Sequence, residues 1–483
     1  MLYAAPLEIE RHAIRQSPGA GQSVESVNGK ILGLHDDRET APNPPISGGN
    51  AGGGRRRVVL FLQGPASPFL RRVADRVAAA GHEVRHVAYC FGDLVFWSVL
   101  TGRRLSERLP APPTVFDRGR REGRGDRLAR LIERDGVTDV VMLGDGRPVH
   151  ATAVEVAMAR GVRIHILEHG YIRPDWLTLE PDGMSGHSRM PRDPEQLRAM
   201  AAGLPPVDLT PLWPASFLRY ALYDFAYHLP NVLLGPFVHP HHRTHGAVPP
   251  PVEYAGWAWK FLKAPFERRH LGRVLPTYLG DGPPFFLFPL QLPGDYQILR
   301  HAPGGDLFRI VEATIASFAR SAPAGTRLLF KVHPIDNGLS RWHRRIGDHA
   351  RSAGVGDRVD VVDGGPLDAL VARAAGTVLV NSTVGTAVLA AGRPLHVLGE
   401  AVFAVPGLVS PGALDDFWRA PTPPDPDLAE AFLRVLVDRI QLRGGFIAPD
   451  SVEFGSRAVA ARLLEDEERL PISLRRPRSP KPT

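Results

Sequence analysis

The sequence predicts an α/β protein in which two Rossmann-like halves face a central cleft. Short apolar runs alternate with segments of helical periodicity, first from Val58 onward and again from Phe285 onward. Strands that alternate with helices form parallel sheets with right-handed crossovers. The chain has 483 residues, which is more than one hydrophobic core usually supports. Two domains are therefore expected.

The segment before the first predicted strand has a different composition. Residues 1–54 are rich in Gly, Pro, Ser and Asn and end in a run of glycines. Such a segment buries too little apolar surface to offset its ordering entropy, so we predict a disordered leader. The first residues lack the features of a signal peptide, and no apolar run approaches the ~20 residues of a spanning helix. These observations predict a cytoplasmic protein.

Residues 55–199 form the first predicted domain. Residues 58–62 are a continuous apolar run, typical of a parallel strand that is covered on both faces. Gly81 ends a helix that begins at Phe69. The other strands and helices expected here span residues 83–88, 139–143, 149–160 and 162–167.

Residues 200–280 interrupt the alternation of strands and helices. They are dense in Pro, Trp, Tyr and His, and we predict an irregular, largely helical linker region. Residues 281–425 form the second domain, and residues 426–483 contain a last helix followed by a basic tail. That helix spans residues 426–440, with Asp425 as N-cap and a proline at its first position. The strands expected in the second domain span residues 285–290, 328–332, 359–362, 378–380 and 395–398.

The chain carries a net charge of +7, with arginines clustered at residues 55–57, 118–130 and 475–478. This charge suits anionic partners such as lipid headgroups or acidic sugars, although a solvated arginine-rich surface gives the same pattern. No basic motif interleaved with aromatic residues is present, which argues against nucleic acid as a partner. The single cysteine, Cys90, excludes a disulfide framework and ends an apolar run, as a buried thiol would.

Several cofactor classes are disfavoured by the glycine and histidine patterns. Gly64, Gly144 and Gly146 lack the G-x-G-x-x-G spacing of a dinucleotide site, and no P-loop occurs. We therefore predict no cofactor, and the absence of a P-loop argues against kinase and ATPase activities. The histidine-rich segment 239–245 lacks cysteines and carboxylates at zinc-site spacing, so we predict a surface loop and no metal.

One polar segment of the second half combines a cation with an imidazole. Lys331, His333 and Pro334 follow the apolar run 328–330, where a parallel strand is expected to end. Ligands bind at this edge of open α/β sheets. The proline restricts the preceding backbone to an extended conformation and so fixes the direction of the His333 imidazole. We predict that this segment binds the phosphate of a leaving group.

A second polar segment of this half carries an amide and two hydroxyls. Asn381, Ser382 and Thr383 follow the run 377–380 and precede a helical segment, so their hydroxyls and backbone amides would hold a phosphate oxygen. Either hydroxyl would also serve as an ordinary N-cap. Gln291 follows the first strand of this half, where its amide would recognise a base or sugar or would belong to a plain loop.

Two acidic residues of the first half follow predicted strands. Glu168 follows the strand 162–167, where its carboxylate would reach the cleft as a base or nucleophile, or would act only as a turn or helix-capping residue. Arg173 would orient that carboxylate or bind an acidic substrate. Asp145 occupies a similar position with Arg147 as its anion-binding neighbour, although Asp before Gly is also a common turn pair.

These ordered blocks together resemble the capsule polysaccharide biosynthesis proteins, specifically the single-module KpsS-type β-Kdo transferases. The resemblance covers about residues 57–450. It is carried by the blocks 61–65, 143–148, 168–176, 289–291, 331–334, 381–385 and 444–446.

The resemblance implies a GT-B-like fold and transfer of Kdo from CMP-Kdo to a lysophosphatidylglycerol acceptor, which starts the linker for capsule export. It also implies a peripheral position at the inner leaflet of the membrane, with other capsule assembly and export proteins as further partners. Two short motifs are similar to those of bacterial sialyltransferases, an acidic turn and a His-Pro pair. Here His169 stands in place of the second acid of that turn.

The resemblance also implies roles for the candidate residues. A retaining transfer would use a carboxylate nucleophile, with Glu168 as first choice and Asp145 as second. His333, Ser382 and Thr383 would stabilise the charge on the departing CMP without a metal.

The two arginines, Arg147 and Arg173, would bind the anionic sugar and the acceptor's phosphoglycerol, and the basic surface would approach an anionic leaflet. Two other functions stay open from the sequence. One is a GT-B transferase that uses another nucleotide sugar, and the other is a non-catalytic scaffold for capsule assembly.

Overall fold

The computed structural model describes residues 56–102, 112–214, 216–238, 241 and 248–465. The predicted leader, the basic tail beyond residue 465 and the histidine-rich segment, apart from residue 241, lie outside the described residues. The described part contains two sheets, one of seven strands and one of five, with helices packed against them. The predicted α/β architecture of two Rossmann-like halves is confirmed.

The first six strands of the chain form one sheet and the next five form the other. The last strand returns to the first sheet. The first sheet has the order β12-β6-β5-β4-β1-β2-β3, and the second has the order β11-β10-β7-β8-β9. The bounds are β1 (Val58–Phe61), β2 (Glu83–Ala88), β3 (Thr114–Phe116), β4 (Asp139–Leu143), β5 (Arg163–His169), β6 (Trp176–Pro181), β7 (Phe285–Pro289), β8 (Arg327–Lys331), β9 (Val359–Val362), β10 (Gly376–Leu379), β11 (Leu395–Val397) and β12 (Gln441–Arg443).

Pairing in both sheets is mostly parallel. All strands of the second sheet are parallel, and in the first sheet β6 runs antiparallel to both β5 and β12. Every residue of β4 and of β7 is buried, as expected for strands that are covered on both faces. One continuous apolar cluster includes residues of both sheets, for example Leu60 and Leu287, so the two halves share part of their core.

The helices cover both faces of the sheets. Their bounds are α1 (Phe69–Ala79), α2 (Phe91–Leu94), α3 (Arg124–Asp135), α4 (Pro148–Met158), α5 (Pro194–Ala201), α6 (Phe217–Val238), α7 (Pro250–Leu279), α8 (Tyr296–His301), α9 (Leu307–Ser321), α10 (Trp342–Ser352), α11 (Leu367–Arg373), α12 (Val384–Ala390), α13 (Leu414–Phe417), α14 (Pro426–Ile440) and α15 (Pro449–Leu464).

The C-terminal part of the described chain returns to the first sheet. Helix α14 has the predicted bounds, and the Asp425 side chain accepts a hydrogen bond from the Leu428 amide at 3.0 Å. It is not the last helix, however, because β12 and α15 follow it. Helix α15 packs against α1, where the rings of Phe69 and Phe446 lie 5.0 Å apart and Arg76 pairs with Glu453. A three-residue strand carries too little periodicity to be predicted.

The linker region contains two long helices, of 22 and 30 residues, and is more regular than predicted. The sequence suggested irregularity because each helix contains two internal prolines, Pro230 and Pro236 in α6 and Pro265 and Pro276 in α7. Within the described residues, no helix has the length and apolar character needed to cross a bilayer.

Candidate functional site

A cavity of about 640 Å³ lies between the two sheets. Its walls are the loops at the carboxyl ends of parallel strands in both halves, together with α6 and α7. This is the position at which ligands bind in open α/β sheets. The predicted site residues that line it are Arg147, Glu168, Arg173, Gln291, Asn381, Ser382 and Thr383.

Glu168 lines the cavity from inside strand β5, which extends two residues beyond the predicted end. Its Oε1 accepts a hydrogen bond from the backbone amide of His169 at 2.9 Å. Gly144 lies against the same carboxylate with φ +66°, and a Cβ there would be 3.1 Å from Oε2 of Glu168. Only glycine adopts this conformation easily and leaves room for the carboxylate.

Asp295 is an acidic residue of the cavity that the sequence analysis did not single out. It is the N-cap of α8, and its side chain accepts a hydrogen bond from the Gln297 amide at 3.0 Å. Burial raises the pKa of Asp295 to about 6, the negative charge of Glu168 raises it further, and the Gln297 hydrogen bond and the charge of Arg173 oppose the rise. The cavity therefore brings Glu168 of the first half and Asp295 of the second half into one space, and the carboxyl groups of Asp224, Glu253 and Asp336 line it as well.

A signal for Asp295 was present in the sequence. The residue comes after β7 just as His333 and Asn381 come after β8 and β10, at the same edge of the sheet. An aspartate just before a helix is usually only an N-cap, and here it is an N-cap as well. Its unusual pKa depends on burial between the two halves, which only the tertiary structure reveals.

Arg147 is held by a polar network that extends to α6. Its Nη1 donates to Oε1 of Gln63 at 3.0 Å, and Nε2 of Gln63 donates to the Tyr227 hydroxyl at 2.7 Å. That hydroxyl in turn donates to Oδ1 of Asp93 at 2.8 Å. Cys90, buried as predicted, lies in the same network with its Sγ 3.2 Å from the Tyr227 hydroxyl. The network fixes both the arginine and the helix.

The predicted phosphate-binding segment of β8 lies behind the cavity wall. His333, Lys331 and Pro334 do not line the cavity, whereas Ile335 and Asp336 do. Burial first, and then the charges of Lys331, Arg173 and Lys260, lower the pKa of His333 to about 3, so the imidazole is neutral near pH 7. Its Nδ1 accepts from the Ile335 amide at 3.3 Å, which leaves the proton on Nε2.

The amides of Gln291 and Asn381 bind each other. Nε2 of Gln291 donates to Oδ1 of Asn381 at 2.9 Å, and Nδ2 of Asn381 donates to the carbonyl of Gln297 at 2.9 Å. These contacts tie the loops after β7 and β10 together. Ser382 and Thr383 line the cavity beside α12, and Oγ of Ser382 accepts from the Val384 amide at 3.3 Å.

Asp145 does not line the cavity, contrary to the predicted catalytic position. Its Oδ2 accepts from the Met184 amide at 3.2 Å and lies 3.6 Å from Nδ1 of His187. The turn after β4 thus directs this carboxylate toward residues 183–187 and directs Arg147 toward the cavity. Among the described residues, no group of three His, Cys, Asp or Glu side chains is placed to hold a metal ion.

Residues 138–447 match the family of capsule polysaccharide biosynthesis proteins, which is well over half of the chain. The match includes Glu168, Asp295 and the polar segments of β8 and β10. The chain belongs to this family. The predicted membership is confirmed at the level of the family.

Two curated relatives of this capsule-family chain are similar over most of their length. The chain is 28% identical to the capsule polysaccharide export protein KpsS of Escherichia coli, over 79% of this chain and 95% of that protein. It is also 28% identical to the capsule polysaccharide modification protein LipB of Neisseria meningitidis serogroup B, over 80% of this chain and 91% of that protein.

A solved structure also resembles the chain, the β-Kdo 2,7 transferase KpsC of Thermosulfurimonas dismutans. The identity is 12% and the TM-score 0.38, over 74% of this chain and 92% of that one.

Proposed function

We propose that this capsule-family protein is a glycosyltransferase that moves Kdo from CMP-Kdo to a lysophosphatidylglycerol acceptor. The observation that carries the proposal is the pair of carboxyl groups, Glu168 and Asp295, that line one cavity from opposite halves. Arg147 and Arg173 line the same cavity and supply positive charge for an acidic sugar and a phosphate. Such a cavity suits a double displacement on an anionic donor.

The first displacement breaks the donor. The Glu168 carboxylate attacks the anomeric carbon of Kdo, a carbon–oxygen bond to the carboxylate forms, and the bond from that carbon to the CMP phosphate breaks. CMP leaves with the electron pair and needs no proton. Ser382 and Thr383 donate hydrogen bonds to the departing phosphate, and the charges of the arginines lower the cost of its added negative charge.

The second displacement uses the raised pKa of Asp295. A hydroxyl of the acceptor attacks the anomeric carbon from the opposite side, the bond to Glu168 breaks, and Asp295 accepts the hydroxyl proton. A base with a pKa of about 6 is mostly ionised at neutral pH and still binds a proton well enough to assist. Two inversions give net retention, which a retaining β-Kdo transferase requires.

The acceptor side of the cavity is aromatic. Polar side chains of α6 and α7 line it too, but six aromatic rings of these helices offer apolar surface to an acyl chain: Phe217, Tyr220, Tyr227, Tyr254, Trp257 and Phe261. A lysophospholipid combines one acyl chain with a phosphoglycerol headgroup, so its two ends match the two parts of the cavity. A lipid acceptor also places the protein on the cytoplasmic side of the inner membrane, where it would meet other capsule assembly and export proteins.

The test is a direct transfer assay. The purified protein is incubated with CMP-Kdo and a fluorescent lysophosphatidylglycerol, and the mass of the lipid product is measured by mass spectrometry. We expect the mass of one or more Kdo residues to be added and the addition to stop in Glu168→Gln.

Protection by nucleotides against thermal unfolding separates the alternative donors, because a nucleotide stabilises the folded state only if it binds to it. Protection by UDP or GDP and not by CMP would replace CMP-Kdo with another donor. The absence of any nucleotide binding together with the absence of donor hydrolysis would favour a scaffold.

A further inference from the structure

The side chains of α6 are distributed in the opposite way to those of an ordinary surface helix. Its outward face is an apolar stripe with intervals of three and four residues, formed by Leu218, Leu222, Phe225, Leu229, Leu233 and Phe237, all exposed. Its inward face is polar and lines the cavity with Tyr220, Asp224, Tyr227, His228 and Asn231. A helix in water normally exposes its polar face and buries its apolar face.

Buried polar contacts fix this orientation. Oδ1 of Asn231 accepts from the Gly92 amide at 2.9 Å, and the Tyr227 hydroxyl donates to Asp93. Oδ2 of Asp224 accepts from the Tyr254 hydroxyl on α7 at 3.2 Å. Rotation of α6 to hide its apolar stripe would break all three contacts, and each costs free energy when a buried partner is left unsatisfied.

The first half of α7 has the same pattern. Its exposed stripe consists of Val252, Ala255, Trp259, Leu262 and Phe266. The two helices touch through aromatic side chains, because the rings of Phe217 and Trp257 lie 6.0 Å apart and those of Phe225 and Tyr254 lie 6.2 Å apart. We call the two stripes together the apolar outer surface of α6 and α7. Exposed apolar areas of this extent usually mark an interaction site.

The charges around this surface are positive. The exposed charged side chains of α7 are all cations: Lys263, Arg268, Arg269 and Arg273. The two acidic side chains of α7 do not add negative charge to this surface. Glu253 faces the cavity, and Oε2 of Glu267 lies 3.4 Å from Nε2 of His343. Nζ of Lys263 lies 4.8 Å from the ring centre of Trp259, so a cation borders the stripe directly. An apolar surface with aromatic residues and a cationic border is typical of segments that lie in a membrane interface.

We propose that the apolar outer surface of α6 and α7 inserts into the headgroup region of an anionic phospholipid bilayer. The inward faces of the same helices line the cavity, so this docking brings the cavity against the leaflet from which a lipid acceptor would enter. The proposal rests on the proposed function for the identity of that acceptor. A second copy of the chain fits less well, because a two-fold interface would bring the same cations together.

The test uses the full chain and two kinds of vesicle, phosphatidylcholine alone and phosphatidylcholine with phosphatidylglycerol. Leu222→Glu and Phe266→Glu each place a charge in the apolar outer surface and lie outside the cavity lining. Met158→Glu is the matched control, because Met158 on α4 is 58% exposed, as is Leu222.

We expect the wild-type protein and Met158→Glu to sediment with the anionic vesicles, and the partition constant of each surface variant to fall at least about tenfold. Loss of one buried Leu or Phe side chain is enough for that factor. The pair Arg268→Gln and Arg269→Gln is expected to weaken the preference for phosphatidylglycerol. Lipids with brominated chains are expected to quench Trp259, and the quenching is expected to shrink in Trp259→Phe.

Five outcomes decide the proposal. Unchanged vesicle binding by both surface variants would overturn it, and so would a wild-type protein that ignores vesicles. A dimer that Leu222→Glu separates, without vesicle binding, would assign the surface to a second copy and overturn it as well. Vesicle binding that the surface variants lose supports it, even when no Kdo is transferred, and in that case only the proposed function fails. Kdo transfer to acceptor micelles without vesicle binding would support the proposed function and overturn the proposal that this surface binds membranes.

Discussion

Glu168 at the end of β5 and Asp295, the N-cap of α8, line the same cavity, and the negative charge of Glu168 adds to the effect of burial in raising the pKa of Asp295. The two residues are far apart in the sequence and come from different halves of the fold. Their apposition is the basis of the proposed double displacement.

The first prediction concerns removal of either carboxyl group. Glu168→Gln and Asp295→Asn are each expected to lower the transfer rate by at least about a hundredfold, because general acid–base and nucleophilic catalysis contribute at least that factor. Mass spectrometry of the protein after incubation with CMP-Kdo is expected to detect a Kdo adduct on Glu168. A stable adduct on Asp295 would exchange the two roles, and full activity of both variants would remove the site.

Asp295→Asn also has a stability signature that separates a catalytic loss from a folding defect. A carboxyl group whose folded pKa is raised contributes most stability at low pH, and this contribution is lost as the pH rises through about 6. Asparagine has no such loss, so the variant is expected to be at least as stable as the wild type at neutral pH. Thermal unfolding at several pH values measures this, and a marked destabilisation at neutral pH would contradict it.

The second prediction concerns the pH dependence of transfer. Asp295 must be ionised to accept the acceptor's proton, so kcat/KM is expected to fall as the pH drops below about 6. Arg173 opposes the raised pKa, and Arg173→Met is therefore expected to move this limb to higher pH by on the order of one unit. Arg309→Met, at a side chain that is 86% exposed, is the control and should leave the limb in place. If the acidic limb of the kcat/KM profile is unchanged in Arg173→Met, that limb does not report the ionisation of Asp295.

The third prediction concerns Glu180, a buried acid beside the site. Its carboxylate accepts hydrogen bonds from the hydroxyls of Tyr171, at 2.8 Å, and of Ser188, and burial raises its pKa from the ordinary 4.5 to about 8. The folded protein keeps this proton where the unfolded chain loses it. The free energy of unfolding is therefore expected to decrease as the pH rises from about 4.5 to about 8.

Glu180→Gln is expected to remove part of that slope, since the amide does not ionise. Denaturant unfolding at both ends of the pH window measures the slope. Glu155→Gln, at an exposed acid of α4, is the matched control and should keep it. Equal slopes in the wild type and Glu180→Gln would mean that Glu180 titrates normally.

The fourth prediction tests the close contact between the two halves. A Cβ on Gly146 would lie 2.6 Å from the Cβ of Tyr296, the neighbour of Asp295. Gly146→Ala is expected to push the loops apart, to destabilise the protein by about 1–3 kcal/mol and to lower kcat/KM at least about tenfold, because the carboxyl pair would be misplaced.

Gly272→Ala is the control for this substitution. Gly272 lies inside α7 with open space around the position of a Cβ, so alanine there is expected to be neutral or slightly stabilising. Activity and stability of Gly146→Ala equal to those of Gly272→Ala would show that the loops accommodate a methyl group freely.

Local sequence patterns were sufficient to predict most strands of the two halves and seven of the residues that line the cavity. Continuous apolar runs such as β4 and β7 are buried on both faces, and that local pattern is sufficient to recognise a parallel strand. Polar residues at the carboxyl ends of such strands meet at one edge of the sheet. The pattern of residues alone therefore assigns Glu168 and Ser382 to a common cleft.

Long-range packing selects which of these polar groups are exposed to the cleft. Asp145 and Glu168 follow strands in similar ways, yet the turn after β4 directs Asp145 toward the Met184 amide. Asp295 has the sequence signature of an N-cap, and its raised pKa results from burial between the halves. The outward apolar face of α6 likewise follows from polar contacts that link distant segments. Burial and orientation depend on such long-range contacts, and local sequence patterns do not encode them.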